Sequence, residues 1–486
     1  MHPPNRFVLS YVCVLFGIAG YVKSDDWPQW RGPRRDAVSQ EKGLLSAWPE
    51  GGPALAWRFE GLGTGYSSVV VQDGRLFSLG KLNDMDVVVT AIDVVTHQIL
   101  WQRKIGSTSR NPCSTPTIDD GLLYSLDPDG RIVCLRCVDG EIVWQQHLVE
   151  DFGGKPMSGR GFGESPLVDG QSLVCTPGGS DAVVVSLDKL TGHLHWQAKL
   201  AEVGPAGKDG AGFSSIVVTE AAGVRQYVQF VGRGLIGIDT RHGQVLWTHN
   251  ELANDIANIP TPIVDHEYVF AANGYSAGSV LLKLSPNTIL SDKDSSVKVE
   301  EVYALTASQF QNHHGGVVKV GDYLFGGHGN NNGLPTCLDF RSGRLLWKRR
   351  GPGVGSAAVI YADGRLYFRY QNGVVALLEA DDKGFQVRGT LEIPGAGSDS
   401  WAHPVIANGA LYLREQDHLW AYQVSSLKSE TVKRKVLDVD GGPTQLQNAI
   451  ERDGGTVEAL DLSLIGILTN FGSRASNNRV VRPVLH

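Results

Sequence analysis

Two neighbouring glycine-rich segments hold the densest set of side chains able to do chemistry: Gln311-Asn-His-His-Gly-Gly316 and Gly326-Gly-His328-Gly-Asn-Asn-Asn-Gly333. Imidazoles change protonation near neutral pH, so His313 and His314, beside Asn312, could bind a ligand, shuttle protons or hold a metal. The same side chains could instead satisfy main-chain groups in a polar loop. Adjacent side chains seldom point the same way, which argues against a metal shared by His313 and His314. His193 and His195 alternate along one face of a strand inside a repeated phrase and read as structural. Cys134 and Cys137 lie in Arg131-Ile-Val-Cys-Leu-Arg-Cys-Val138, which reads as a strand. Positions i and i+3 of a strand face opposite sides, so neither a disulfide nor a shared metal suits the pair. No second Cys-x-x-Cys completes a zinc site, and no Cys-x-x-Cys-His is present to attach haem.

Glycine is abundant at 59 residues and tryptophan at 11, without long Pro or Ser tracts, which suits short strands joined by tight turns better than disorder. A net charge of −7 excludes the basic face expected of a nucleic-acid binder. At the start, Arg6 precedes an apolar run from Phe7 to Tyr21, followed by Val22-Lys23-Ser24. That pattern predicts a signal peptide over 1–24 and export to the periplasm or beyond. The apolar run is short for a membrane span, and no other stretch approaches transmembrane length. Cys13 falls inside the signal, and the five remaining cysteines give no disulfide framework.

The elements that must position the histidines are repeats. Asp188-Lys-Leu-Thr-Gly192-His-Leu-His-Trp196 recurs in register as Asp239…Gly243…Trp247 and Asp339…Gly343…Trp347, with looser copies ending at Trp101 and Trp144. The spacing from Trp247 to Trp347 is two periods, so one unit lacks its tryptophan. Eight strand phrases, beginning at Ser67, Thr115, Ser165, Ser214, Thr261, Gly316, Ala357 and His403, lead into turns such as Asp73-Gly74, Asp120-Gly121 and Asn408-Gly409. Asp-Gly and Asn-Gly favour two-residue hairpins because both positions tolerate positive φ. Four strands per ~45 residues is the period of a propeller blade, and stacking blades supplies the core that one blade cannot bury. The recurring tryptophan is predicted to pack between neighbours. Ala54-Leu-Ala-Trp57-Arg-Phe-Glu60 resembles a fourth strand without a blade, whereas the last copy has three strands. Pairing them closes the ring and removes open edges. The expectation is therefore an all-β, eight-bladed propeller over 25–424, closed by the N-terminal strand. Residues 425–486 form an appendage outside the repeat, with a short helix predicted near Thr444–Arg452. Residues preceding each first strand should meet at the channel: Tyr66, Cys113, Glu164, Phe213, Ile259, His313 with His314, Ser356, and Trp401 with His403.

The Asp-x-x-Thr-Gly-x-x-x-Trp phrase with its Ser/Thr-Pro-aliphatic strands resembles the pyrroloquinoline-quinone (PQQ) repeat of quinoprotein alcohol dehydrogenases and of the outer-membrane assembly lipoprotein BamB. Asp26-Trp-Pro-Gln-Trp-Arg-Gly-Pro33 looks like the opening of secreted PQQ-like propellers of planctomycete bacteria, some labelled polyvinyl-alcohol dehydrogenase. The resemblance implies a ligand face built from Glu164, Asn258, Asn312, His313, His314, Trp401 and His403. In a dehydrogenase, Glu164 and Asn258 would ligate Ca²⁺, Trp401 would stack on PQQ, and Asp399 would be the nearest substitute for the missing base. No adjacent cysteine pair is present to stack on the quinone, and the signal lacks a lipobox. The reading that follows is an exported, non-catalytic binding or assembly platform, monomeric, with a small molecule or protein at the propeller face. The alternative is a PQQ- and Ca²⁺-dependent alcohol dehydrogenase of the polyvinyl-alcohol type.

Overall fold

The computed structural model describes residues 26–287 and 297–426; the predicted signal peptide, Cys13 and the predicted helix of the tail lie outside the described residues. Eight four-stranded antiparallel sheets follow one another as blades. Blade 1 comprises Val70–Gln72, Arg75–Leu82, Asp86–Asp93 and Ile99–Ser107. Blades 2 to 7 span 117–147, 167–198, 217–249, 263–305, 317–348 and 357–392. Blade 8 takes three strands from 405–423 and its outermost from Leu55–Glu60, which pairs antiparallel with His418–Gln423. The orphan strand closes the ring as its sequence predicted. The turns are those their residues favour: Asp73 and Gly74 have φ of 51° and 74°, and Asn408 and Gly409 have 55° and 74°.

The core lies between the blades. Phe77, Leu79 and Val89 of blade 1 are buried with Leu123, Val133 and Leu135 of blade 2. The repeated phrase makes this joint. Trp144 donates its indole N–H to the Lys189 carbonyl of the next blade at 2.9 Å, and Trp196 does the same to Thr240 at 3.1 Å. Each ring lies on the glycine of its neighbour's turn: a Cβ on Gly192 would stand 2.7 Å from Trp144, and one on Gly243 would stand 2.4 Å from Trp196. These glycines also have φ near 72°, so both the conformation and the close approach require them.

Two blades without the tryptophan replace it differently. In blade 5, Tyr303 lies over Gly343 and donates to the Phe340 carbonyl at 2.9 Å. In blade 7, Trp48 arrives from the N-terminal segment, against Gly389 and Tyr367. At the closure, Trp57 stacks on His97 at 4.7 Å, where His97 (φ 60°) occupies the turn position that glycine fills elsewhere.

All five described cysteines are free. Cys134 and Cys137 are buried, and burial pushes both thiols up to about 12, which leaves them unreactive at neutral pH. The packing role expected of them stands. No helix among the described residues is long and apolar enough to cross a membrane.

Candidate functional site: an aromatic cavity on the propeller axis

The innermost strands leave carbonyl oxygens facing the axis with no strand partner. The N-terminal segment satisfies several of them. Trp27 forms a bridge with Val71 of blade 1, and Ile118 of blade 2 donates to the Pro28 carbonyl. Arg35 donates to the Ser165 and Pro166 carbonyls of blade 3, and Arg31 to the Val317 carbonyl of blade 6. Trp30 donates to Thr261 Oγ1 beside blade 5 and lies 4.4 Å from the His403 ring beside blade 8. Tyr361 of blade 7 donates to the Ala37 carbonyl. A segment that touches blades on opposite sides of the ring must cross the channel. Its tight course is visible in Arg31, Gly32, Arg35 and Ala37, whose φ values lie between 57° and 83°. Burial lowers both guanidinium groups to about 10; terminal Nη donors of each meet carbonyls, which is how Arg is tolerated there, while both Nε groups are buried without a partner among the described residues.

Above this strap lies a cavity of about 460 Å³. Its walls include Trp30, Tyr66, Cys113, Phe213, Ile259 and Trp401, with His313, His314 and His403. The loops preceding the first strands therefore converge as the repeat predicts. Tyr66 and Trp401 lie 4.7 Å apart, and His314 lies 5.0 Å from Trp401. No Asp or Glu side chain is among the lining residues.

The structure separates the predicted residues into two groups. His313, His314, Trp401 and His403 line the cavity. Glu164, Asn258 and Asn312 are buried behind it. Glu164 accepts from Thr176 N at 2.6 Å and from Gln229 Nε2 at 2.8 Å. Burial raises its carboxyl to about 7 against these hydrogen bonds and the Arg35 charge. Asn258 accepts from Asn254 N and Asn273 Nδ2 and donates to the Val231 and Gly232 carbonyls. Asn312 ties its own loop together through Gly316 and Gly327. Asp399 stands outside the wall, near enough to Tyr66 to oppose ionisation of its phenol.

The two adjacent histidines correct one expectation. Their rings lie 4.2 Å apart and both line the cavity. His313 offers no open nitrogen to a metal shared between them. His313 uses both nitrogens, on Ser356 Oγ and Tyr275 OH at 2.8 Å each. No group of three or more His, Cys, Asp or Glu side chains among the described residues is arranged to hold a metal.

Sequence reasoning missed Trp30, Arg31, Arg160 and Tyr275, all on the wall. The strap residues belong to no blade, so no repeat position places them. Tyr275 sits in the blade 5 hairpin at φ 55° and Ser276 at 69°. Two consecutive non-glycine residues in that region are costly. They are held by Tyr275 N to Asn330 Oδ1, Ser276 N to Gln311 Oε1, and the phenol on His313.

Burial keeps the histidines neutral: His403 is lowered to about 3, His313 and His328 to about 4, and His314 well below its usual value. Unfolded, they would take up protons below about 6.5, so the unfolded chain binds more protons across that window and stability falls as pH drops. The more deeply buried imidazoles of His314 and His403 each cost up to about 2 kcal/mol at pH 5, and solvent screening makes the cost smaller for His313 and His328. Glu164 acts in the opposite sense between about 4.5 and 7, but it is one group against four. The urea midpoint is therefore expected to fall between pH 7 and pH 5; an unchanged or rising midpoint would show that the imidazoles are solvated.

A family model described as outer membrane protein assembly factor BamB matches residues 84–349. The chain belongs to the BamB family. Curated BamB proteins similar to it include that of Shewanella oneidensis, 22% identical over 260 residues, which is 50% of this chain and 59% of that protein. The Yersinia pestis protein is 24% identical over 230 residues, 45% of this chain and 55% of that protein. The chain thus spans less than two thirds of the length of these curated BamB relatives. Among solved structures, BamB from Moraxella catarrhalis superposes with a TM-score of 0.55 at 14% identity, covering 76% of this chain and 99% of that one. Quinohemoprotein alcohol dehydrogenase from Comamonas testosteroni gives 0.57 at 13% identity, covering 83% and 81%. Both share the fold with this BamB-family propeller.

A calcium-bound quinone does not fit the residues present. Ca²⁺ takes roughly six to eight oxygen ligands, yet the Glu164 and Asn258 oxygens are already used by protein donors. The aromatic walls suit a planar ring, but the donor set for the metal is missing from them.

Proposed function

We propose that this chain is an exported, non-catalytic BamB-like platform. Its propeller over 25–424 receives a ligand at the axial cavity and works beside protein partners in the periplasm or outside the cell. One observation carries the reading: the cavity wall holds aromatic rings and neutral imidazoles but no Asp or Glu side chain. An alcohol dehydrogenase needs a base within hydrogen-bond reach of the hydroxyl proton. The imidazoles here are neutral, but His313 is occupied on both nitrogens, and burial holds His314 well below its usual value and His403 near 3, both too weak as bases to compete for that proton at neutral pH. The names of the BamB relatives support an assembly role with protein partners. The likeness to an alcohol dehydrogenase rests on fold alone.

The test is reconstitution of the purified protein with PQQ and Ca²⁺, with an artificial electron acceptor and a range of alcohols, polyvinyl alcohol included. No acceptor reduction above the protein-free rate is expected, and Glu164→Gln should leave that rate where it is. Turnover that Glu164→Gln abolishes would establish the dehydrogenase reading instead.

A further inference from the structure

Buried polar atoms in folded proteins almost always have partners. Around this cavity four do not: Trp401 Nε1, His314 Nε2, His403 Nδ1 and Arg31 Nε. His403 is 8% exposed, and its Nε2 lies 3.1 Å from the His314 carbonyl oxygen. A carbonyl can only accept, so Nε2 carries the proton and Nδ1 offers a bare lone pair. The indole of Trp401 offers an N–H. At the rim, the Arg160 guanidinium lies 5.2 Å from the centre of the Trp401 ring. Arg160 is exposed, and no carboxylate among the described residues forms an ion pair with it. Asp399 is the acidic side chain near that rim, and its effect on Tyr66 is opposed by Arg160.

This inventory selects a ligand. Aromatic walls favour a flat, apolar body stacked near Trp401 and Tyr66. Two guanidiniums, Arg31 and Arg160, without a carboxylate on the wall repel a cation and favour an anion. Arg160 matches a carboxylate in shape and charge. The lone pair on His403 asks for an O–H donor.

We infer that the axial cavity binds a hydroxyaryl carboxylate, its ring against Trp401, its carboxylate on Arg160 and its hydroxyl donating to His403 Nδ1. The strap makes the floor, through Trp30 and Arg31. This inference rests on the non-catalytic reading of the same site, since the ligand is held and not transformed.

The full chain is titrated calorimetrically with 4-hydroxycinnamate, cinnamate and tyramine. 4-Hydroxycinnamate is expected to bind. Cinnamate, lacking the hydroxyl, should bind roughly tenfold more weakly, the worth of one hydrogen bond. Tyramine, which keeps the phenol but exchanges the anion for a cation, should show no heat of binding. Arg160→Gln should weaken 4-hydroxycinnamate by about 10- to 100-fold, as for a charge-assisted contact, without lowering the melting temperature of the free protein. Trp401→Phe, which keeps a ring but removes the N–H, should weaken it less than Arg160→Gln. Equal binding of tyramine, no effect of Arg160→Gln, or no binding of 4-hydroxycinnamate at millimolar concentration each overturns the inference. Those results leave the platform reading intact, which fails only if PQQ, Ca²⁺ and alcohol reduce an acceptor.

Discussion

Arg414→Met is expected to lower the free energy of unfolding by about 3–5 kcal/mol, one of the largest losses available from a single side chain in this propeller. Arg414 belongs to blade 8, yet its guanidinium reaches the Ser67 and Leu79 carbonyls and Ser78 Oγ of the first blade, and the Gly63 carbonyl just before it. Its Nε adds the Gln416 carbonyl. Methionine has a similar length but no donors, so several buried acceptors would lose their partner together. The neighbouring Arg369, 1% exposed, donates to Glu415 at 2.8 Å, and also to Ser400 Oγ and the Arg414 carbonyl. Arg369 thus ties blade 7 to blade 8, and Arg414 ties blade 8 to the first. A surface comparison sharpens the measurement: Arg103→Met removes a half-buried contact to the Gly140 carbonyl and should cost less than about 1 kcal/mol. Urea unfolding followed by tryptophan fluorescence reads both. Equal losses for the two variants would mean that the closure does not depend on Arg414.

The second large effect concerns the chain before Gly61. A protein beginning at Gly61 lacks the closing strand Leu55–Glu60, Trp48 and the strap that crosses the axis. Its eighth blade would present the His418–Gln423 strand as an open edge, a template for pairing with other chains. It would also lose Trp27, buried with Leu62, Val71 and Leu76, and the donors that satisfy the carbonyls at the axis. Such a chain should fail to elute as a monomer on size exclusion, and it should lose the near-ultraviolet dichroism of its packed tryptophans. Co-expression of residues 1–60 as a separate chain should restore part of the monomer. A stable monomeric product without that segment would show that the ring holds without its closing strand.

Legibility differed sharply between blade and site. The hairpins needed only Asp-Gly or Asn-Gly between alternating strands, which are contacts within a few residues. The docking of Trp144 on Gly192 was legible because a repeated phrase places the same two residues in successive blades, as Trp101 on Gly140 and Trp196 on Gly243. Closure was legible because one unpaired strand phrase and one incomplete blade must balance. At the site, the wall residues Tyr66, Phe213, His313, Trp401 and His403 were foreseen from their position before a first strand. Glu164 and Asn258 stand at equivalent positions and look equally chemical in the sequence. Their atoms turn away to Thr176, Gln229, Asn254 and Asn273, partners that no local pattern announces.

Periodicity by itself determined that this chain builds eight blades, seals them with its N-terminal strand and brings one set of loops to a common axis. Those outcomes depend on short-range turns and nearest-neighbour packing that each repeat encodes anew. Tertiary structure alone decided that Trp30 and Arg31 make the floor of the cavity, that Arg160 stands at its rim, and that Glu164 is spent on the scaffold. These depend on a single crossing of the channel and on hydrogen bonds between residues dozens to hundreds of positions apart, such as Arg31 with Val317. Competition among buried donors and acceptors for partners settles only when the whole ring has closed.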